Sequence, residues 1–260
     1  MKIIVAAKQV PVRDSGNHVD ASGKWLEEQD LSFEINEPDA YALEAALLLK
    51  EQHGGEVIVV CAGPERAAQT IREALAKGAD RAIHVESDDL VRLDTLGLAR
   101  LLSAAVASET ADLILTGLQS DDLGQGQTGV VLAEMLGLPH ATIVVEVEKS
   151  AGGIRVKREL EEGWFQWVEM PLPVLLTIQS GISKLRYATL MGIKKAKTKE
   201  IRRMEPAALG AAVGAAVEPA VSLDRVYLPQ RRKETRMIGG TPAEAAAALA
   251  DVLKFEVRVL

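Results

Sequence analysis

The sequence predicts an α/β protein. Its body is a doubly wound, mostly parallel sheet with helices on both faces, followed by a β-hairpin and an extended C-terminal arm that ends in a helix. Three observations predict this. From residue 3 to residue 148, short continuous apolar runs alternate with helix-length stretches, as strands buried on both faces and their crossover helices do. Near Ile154 the pattern changes to apolar–polar alternation on either side of Glu161-Glu162-Gly163, a hairpin signature. Farther on, Thr241-Pro242-Ala243-Glu244 combines an N-cap, a proline at the first helical position and a capping-box glutamate.

The elements follow in order. Ile3–Ala7 reads as the first buried strand, and a polar segment, Arg13–Gln29, follows with turn signals at Ser15-Gly16-Asn17 and Ser22-Gly23. Asn36-Glu37-Pro38-Asp39 has the form of a helix start, with Asn36 as N-cap and acids in the first turn. The helix runs over Ala40–Glu51 and stops at Gly54-Gly55. Glu56–Ala62 is the second strand, and Gly63-Pro64 opens a helix that ends at Lys77-Gly78. Arg81–Val85, Leu113–Thr116 and Ala141–Glu148 are further strands. Helices are expected over Asp94–Ser108 and from Gly126 to Leu136. The hairpin strands are Ile154–Leu160 and Trp164–Glu169, and Val174–Ile178 is one more strand. Gly181–Arg203 reads as basic and loop-like, residues 205–220 as a linker, and the last helix ends near Lys254. The expected organisation is a domain over 1–204 and an arm over 205–260. Right-handed crossovers place ligands at the carboxyl ends of such strands, near a switch in strand order, so the loops to watch start at Lys8, Ala62 and Gly117.

Composition narrows the function classes. The chain is 48% hydrophobic and 26% charged but only 3% aromatic, so aliphatic side chains must fill the core. A net charge of −7 argues against non-specific nucleic-acid binding. The single cysteine, Cys61, requires no oxidising compartment; it ends a strand with no cation nearby in sequence and reads as a small buried side chain. The apolar run at the N-terminus is too short for a signal peptide, and no stretch approaches the roughly 18 apolar residues of a membrane helix. The expectation is a soluble, cytoplasmic protein. His18, His53, His84 and His140 form neither a metal-ligand spacing nor a triad, so no metal and no catalytic base are assigned.

Two stretches carry chemistry. Gly117-Leu118-Gln119-Ser120-Asp121-Asp122-Leu123-Gly124-Gln125-Gly126-Gln127-Thr128-Gly129 follows a strand and opens a helix. It is neither a dinucleotide fingerprint, since it follows the fourth strand with too long a gap, nor a P-loop, since no Lys-Ser/Thr pair closes it. Backbone N–H groups from Gly124 to Thr128, at a helix start and unhindered by side chains at Gly124 and Gly126, suit a phosphate. A plain flexible connection fits the same residues, and the physics leaves both open. The second stretch is basic: Lys184, Arg186, Lys194, Lys195, Lys197, Lys199, Arg202 and Arg203 are interrupted only by Glu200, with Leu185, Leu190, Met191 and Ile193 among the charges. A solvated surface, nucleic-acid binding and a partner-docking surface are the three readings. The second lacks interleaved aromatics beyond Tyr187.

The segment Gly181-Ile182-Ser183-Lys184-Leu185-Arg186-Tyr187-Ala188-Thr189-Leu190-Met191-Gly192-Ile193-Lys194-Lys195-Ala196-Lys197 resembles the signature of electron-transfer flavoprotein beta subunits. It departs at Lys184-Leu185, where Glu-Pro or Lys-Pro is commoner. Val5–Pro11, Ile35-Asn36-Glu37, Gly63-Pro64, Ala76–Asp80 and Leu172-Pro173-Val174 extend the resemblance along nearly the whole chain. Tyr227-Leu228-Pro229 and the terminal helix are similar to the branch serving methylotrophic amine dehydrogenases.

The resemblance implies a fold of the adenine-nucleotide-binding type and an electron-carrier subunit rather than an enzyme, with no catalytic residues of its own. It implies a heterodimer with an alpha subunit that holds most of the FAD and receives the arm. The partners it implies are flavin dehydrogenases, such as acyl-CoA or amine dehydrogenases, and a quinone reductase. It implies structural AMP in this chain, at Ala6, Asn36, Glu37, Pro38, Asp39, Ala62, Gly117, Gln119, Asp122, Leu123, Gly124, Gln125, Gly126, Gln127 and Thr128. It implies docking of the dehydrogenase through Tyr187, Leu190, Met191, Ile193 and Lys195, with Leu190 as apolar anchor. Two alternatives stand beside it. One is a bifurcating flavoprotein with a second FAD here and NADH as donor, although the usual Asp-Gly-Asp-Thr loop is absent. The other is a regulatory nucleotide-binding protein of stress-protein type, which leaves Gly181–Lys199 unexplained.

Overall fold

The structure is a computed structural model that describes residues 1–16, 18–212, 219–229 and 235–259. The chain divides into two compact units, Met1–Arg225 and Val226–Leu260.

The first unit holds the strands β1 (Lys2–Ala6), β2 (Gln9–Pro11), β3 (Phe33–Ile35), β4 (Glu56–Gly63), β5 (Arg81–Glu86), β6 (Leu113–Gly117), β7 (His140–Ser150), β8 (Gly153–Glu159), β9 (Phe165–Met170), β10 (Val174–Ile178) and β11 (Ile201–Met204). Its helices are α1 (Glu37–His53), α2 (Ala68–Lys77), α3 (Thr95–Val106), α4 (Thr128–Leu136) and α5 (Leu190–Ala196). Nine strands form one sheet in the order β11-β5-β4-β1-β6-β10-β7-β8-β9. All neighbours from β11 to β7 are parallel, and the last two pairings, through the hairpin, are antiparallel.

The continuous apolar runs are explained by two-sided burial. On β1, Ile3 and Val5 pack with α1 and α2, whereas Ile4 and Ala6 pack with α3 and α4. Period-2 geometry sends alternate side chains to opposite faces, so a strand covered on both must be apolar throughout. Cys61 lies in the first of these cores, fully buried. Burial pushes its thiol up to about 12, with the Asp39 charge adding to the effect.

Several expectations are corrected. The polar region after the first strand is flanked by a small antiparallel sheet of β2 and β3, not seen in the sequence because each strand has three residues. Its turn residue Asn17 lies outside the described residues. The helix after Gly63-Pro64 begins with a 3-10 turn, Glu65–Ala67, and the one after Asp94 ends at Val106. Gly181–Arg203, expected to be loop, contains α5 and β11, and β11 extends the parallel sheet beyond β5. Of the expected linker, Pro206–Ala212 forms a 3-10 helix with Leu209 packed against the α3–α4 core, and 213–218 lie outside the described residues.

The second unit contains α6 (Pro242–Asp251), which continues as a π-helical turn, Val252–Val257. Its expected capping box is formed by Thr241 and Glu244. None of the residues in these two segments is buried.

Candidate functional site

After β1 the chain moves outward through β4 and β5, then returns to place β6 on the other side of β1. The crevice at that reversal is lined by Ala6, Ala7 and Lys8 after β1, Ala62 on β4, and Gly117–Ser120 after β6. Asn36 and Asp39 close it from the start of α1, Leu93–Thr95 from the start of α3, and Leu123 with Gln125–Thr128 from the glycine loop. The structure thus gathers Ala6, Asn36, Asp39, Ala62, Gly117, Gln119, Leu123, Gln125, Gly126, Gln127 and Thr128 around one cleft. Glu37, Pro38, Asp122 and Gly124 are not part of this lining. Asp94 and Thr95 join it without having been singled out, since nothing local marked the α3 start as part of a site; Lys8, marked only as the start of a loop to watch, joins it too.

Buried polar contacts hold this cleft in shape. The Asp39 carboxylate accepts from the Lys8 N–H at 2.8 Å and from the Gly117 N–H at 2.8 Å, tying the ends of β1 and β6 to the first turn of α1. A Cβ at Gly117 would collide with Asp39 Oδ1, so only glycine permits this approach. Burial raises the Asp39 carboxyl to about 6, against the lowering effect of both N–H donors, Asn36 and the Lys8 charge.

Asn36 was expected to cap α1 with its side chain, and it does not. Its amide instead donates to the Gln119 carbonyl and accepts from the Asp121 N–H, each at 2.9 Å, so it clamps the glycine loop. Asp121 returns the interaction by accepting from the Glu37 N–H at 3.3 Å. Lys8 Nζ lies 2.7 Å from Asp122 and 3.4 Å from Ser120 Oγ, fixing the outer part of the same loop.

The residues present fit a phosphate. The Gly124 N–H is committed to the Ser120 carbonyl at 2.8 Å, which removes it from the expected donors. The next N–H groups, from Gln125 to Thr128, have no protein acceptor among the described residues and lead into the N-terminus of α4. Free N–H groups at a helix start favour an anion. No group of three or more His, Cys, Asp or Glu side chains among the described residues is arranged to hold a metal ion, and no helix there is long and apolar enough to cross a membrane.

The second site is α5. Its small residues face inward and its large ones outward. Ala196 is buried, and Gly192 sits so close to α2 that a Cβ would collide with the Ala76 carbonyl. Leu190 is 87% exposed, Tyr187 92%, Met191 63% and Ile193 46%. Leu185, by contrast, is tucked against the core. The basic residues divide likewise. Arg186 forks onto Glu44 and Glu51 of α1 at 2.9 and 2.6 Å, and Lys199 Nζ donates to the carbonyls of Leu75 and Ala79 beside the end of α2. Arg72 returns the clasp, donating to the carbonyls of Ala196 and Lys199. Arg202 pairs with Glu109 and Arg203 with Glu86. Lys184, Lys194, Lys195 and Lys197 are exposed and make no ion pair among the described residues.

Fold and cleft define a doubly wound α/β protein with a switch-point crevice and an exposed apolar helix. The model of the electron transfer flavoprotein domain family matches residues 24–209. Electron transfer flavoprotein subunit beta of Methylophilus methylotrophus is 37% identical over 97% of this chain and 98% of its own length. The proteins of the same name from Bradyrhizobium diazoefficiens and Bacillus subtilis are 35% and 33% identical over this whole chain, and over 100% and 98% of their own lengths. The chain therefore belongs to the electron transfer flavoprotein family, and within it to the beta subunits.

Proposed function

We propose that this chain is the nucleotide-holding and dehydrogenase-docking half of a two-subunit electron carrier. Its partner is an alpha subunit that binds most of the FAD, and FAD supplies the redox chemistry. This chain contributes no catalytic residue; it holds AMP as a structural ligand, accepts the alpha subunit against the arm 205–260, and offers α5 to the dehydrogenase. Electrons pass from a flavin dehydrogenase, of the acyl-CoA or amine class, through FAD to an acceptor such as a membrane quinone reductase. We place the work in the cytoplasm.

The observation that carries the reading is the cleft, in which free N–H groups and the start of α4 converge beside the ends of β1, β4 and β6. In it, Gln125–Thr128 face the phosphate of AMP. Lys8 neutralises Asp122 and leaves the loop able to take that charge. Asn36 and Asp39 keep the loop in register with α1. The outward apolar face of α5 supports the docking role, because an exposed Leu–Met–Ile face beside lysines without ion pairs among the described residues has no structural work to do in the free subunit.

The test is to co-express the chain with its alpha subunit, denature the purified complex and quantify the released nucleotides. One AMP and one FAD per heterodimer are expected. Two FAD and no AMP would transfer the chain to the bifurcating branch, and an absence of adenine would remove the cleft assignment. Expressed without alpha, the chain should be colourless and aggregate.

A further inference from the structure

The loop over the cleft has a fastening that neither the family assignment nor the phosphate argument requires. The Thr95 hydroxyl, at the first residue of α3, donates to Gln125 Oε1 at 2.5 Å. Thr95 and Gln125 both line the cleft, one from the start of α3 and one from the glycine loop, so this solvent-exposed hydrogen bond ties two of its lining elements together. Gln125 sits between Gly124 and Gly126, both at φ +63. No atom lies within 4 Å of where a Cβ on Gly124 would stand, and for Gly126 the nearest is 3.8 Å away. Nothing packs tightly around these two glycines, and both occupy a conformation that glycine adopts without strain. On either side the chain is held: before it, Lys8 fixes Asp122 and Asn36 fixes Gln119 and Asp121; after it comes α4.

We propose that Gly124-Gln125-Gly126 is a strap across the nucleotide cleft, latched by Thr95, which opens to admit the ligand and closes to retain it. The proposal rests on the nucleotide reading above and assigns Thr95 and Gln125 as positioning residues. Of the N–H groups that suit a phosphate, those of Gln125 and Gly126 lie on the strap and reach their places only when it is closed, while those of Gln127 and Thr128 are held at the start of α4. Closing the latch completes the anion site. A retained ligand then leaves no faster than the latch opens, which makes AMP a lasting part of the subunit rather than an exchanging one.

The experiment uses the heterodimer carrying Thr95→Cys and Gln125→Cys. The chain has one cysteine of its own, Cys61, which is fully buried with its thiol pushed up to about 12, so it does not compete for the crosslink. The complex is loaded with labelled AMP while reduced, then oxidised, and release is followed into excess unlabelled AMP. Release at least about tenfold slower in the oxidised form, restored by a thiol reductant, supports the strap. Equal release rates with the disulfide verified by mass overturn it. In parallel, Thr95→Ala should speed release about two- to tenfold, the value of one net hydrogen bond. Thr95→Ser, which keeps the hydroxyl, should restore the slow rate, and a Thr95→Ala protein that releases AMP at the wild-type rate sinks the latch. The underlying reading fails differently: in that case the wild-type heterodimer itself retains no AMP.

Discussion

Asp39 shows how a single side chain can serve fold and site together. It is nearly fully buried and satisfies the two backbone donors that end β1 and β6. Asn in its place offers one acceptor and sets an NH₂ against the other N–H. Asp39→Asn should therefore cost about 1–3 kcal/mol, the value of leaving a buried donor unsatisfied, and should release AMP. The pH dependence follows from the raised carboxyl, about 6 when folded against 3.8 as the reference. Between these values the folded protein binds the proton more tightly than the unfolded chain, so this group's contribution to stability is greatest below 3.8 and declines as pH rises through 6. Between about pH 4 and pH 7 the wild type should accordingly lose stability through this group, a loss that Asp39→Asn, whose amide does not titrate, lacks, so the gap between them narrows. Urea melts of the two proteins across that range check it, and a gap that widens with pH refutes the assignment. Leu190 is the opposite case. Since it is 87% exposed, Leu190→Ala should leave the melting temperature unchanged. Docking should weaken by about tenfold or more, since burying a leucine is worth about 1.5–3 kcal/mol. Electron transfer from a dehydrogenase at the wild-type rate would remove Leu190 from the interface.

At the scale of the element, α5 illustrates why part of the site was legible and part was not. The sequence marked its residues through the resemblance and its mixture of charge with Leu, Met and Ile, yet the segment read as loop. A helix of seven residues whose inward positions are Gly192 and Ala196 shows no apolar stripe facing a core. Its stability comes from elsewhere: Thr189 caps it through the Gly192 N–H at 3.0 Å, Arg186 bolts its approach to α1, and Lys199 with Arg72 fastens its exit to α2. Gly192→Ala should displace it, because the added methyl meets the Ala76 carbonyl. The expected result is a loss of about 1–3 kcal/mol, typical of overpacking, together with weakened docking. A Gly192→Ala protein that melts and docks as wild type would show that α5 packs on α2 otherwise than described.

For the whole molecule, charge is distributed to suit transient encounter. The chain carries −7 overall, while Lys184, Lys194, Lys195 and Lys197, in and beside α5, are exposed without ion pairs among the described residues. Such charges steer association and are screened by salt, whereas an apolar anchor sets the lifetime of the complex. Reversing Lys194 and Lys195 to Glu should lower the association rate about tenfold or more at low salt and leave dissociation nearly unchanged. Stopped-flow measurements at two ionic strengths test this, and an association rate indifferent to both salt and reversal refutes it.

The sequence by itself determined the parallel core, because two-sided burial forces continuous apolar strands and punctuates them with Gly and Pro. The hairpin and the capped last helix were determined in the same way, each carried by a local pattern. It also singled out the glycine loop, because glycines between a strand and a helix start suit either a phosphate or a flexible connection. Tertiary structure alone decided which neighbours those residues meet. Asn36 reads as a helix cap but spends its amide on a loop more than eighty residues away, while the distant Asp121 accepts from the first N–H of α1. Thr95 is an ordinary helix start until the return from β5 to β6 brings it to Gln125. Residues far apart in the chain share no local signal, and only the reversal of strand order beside β1 brings them to one cleft.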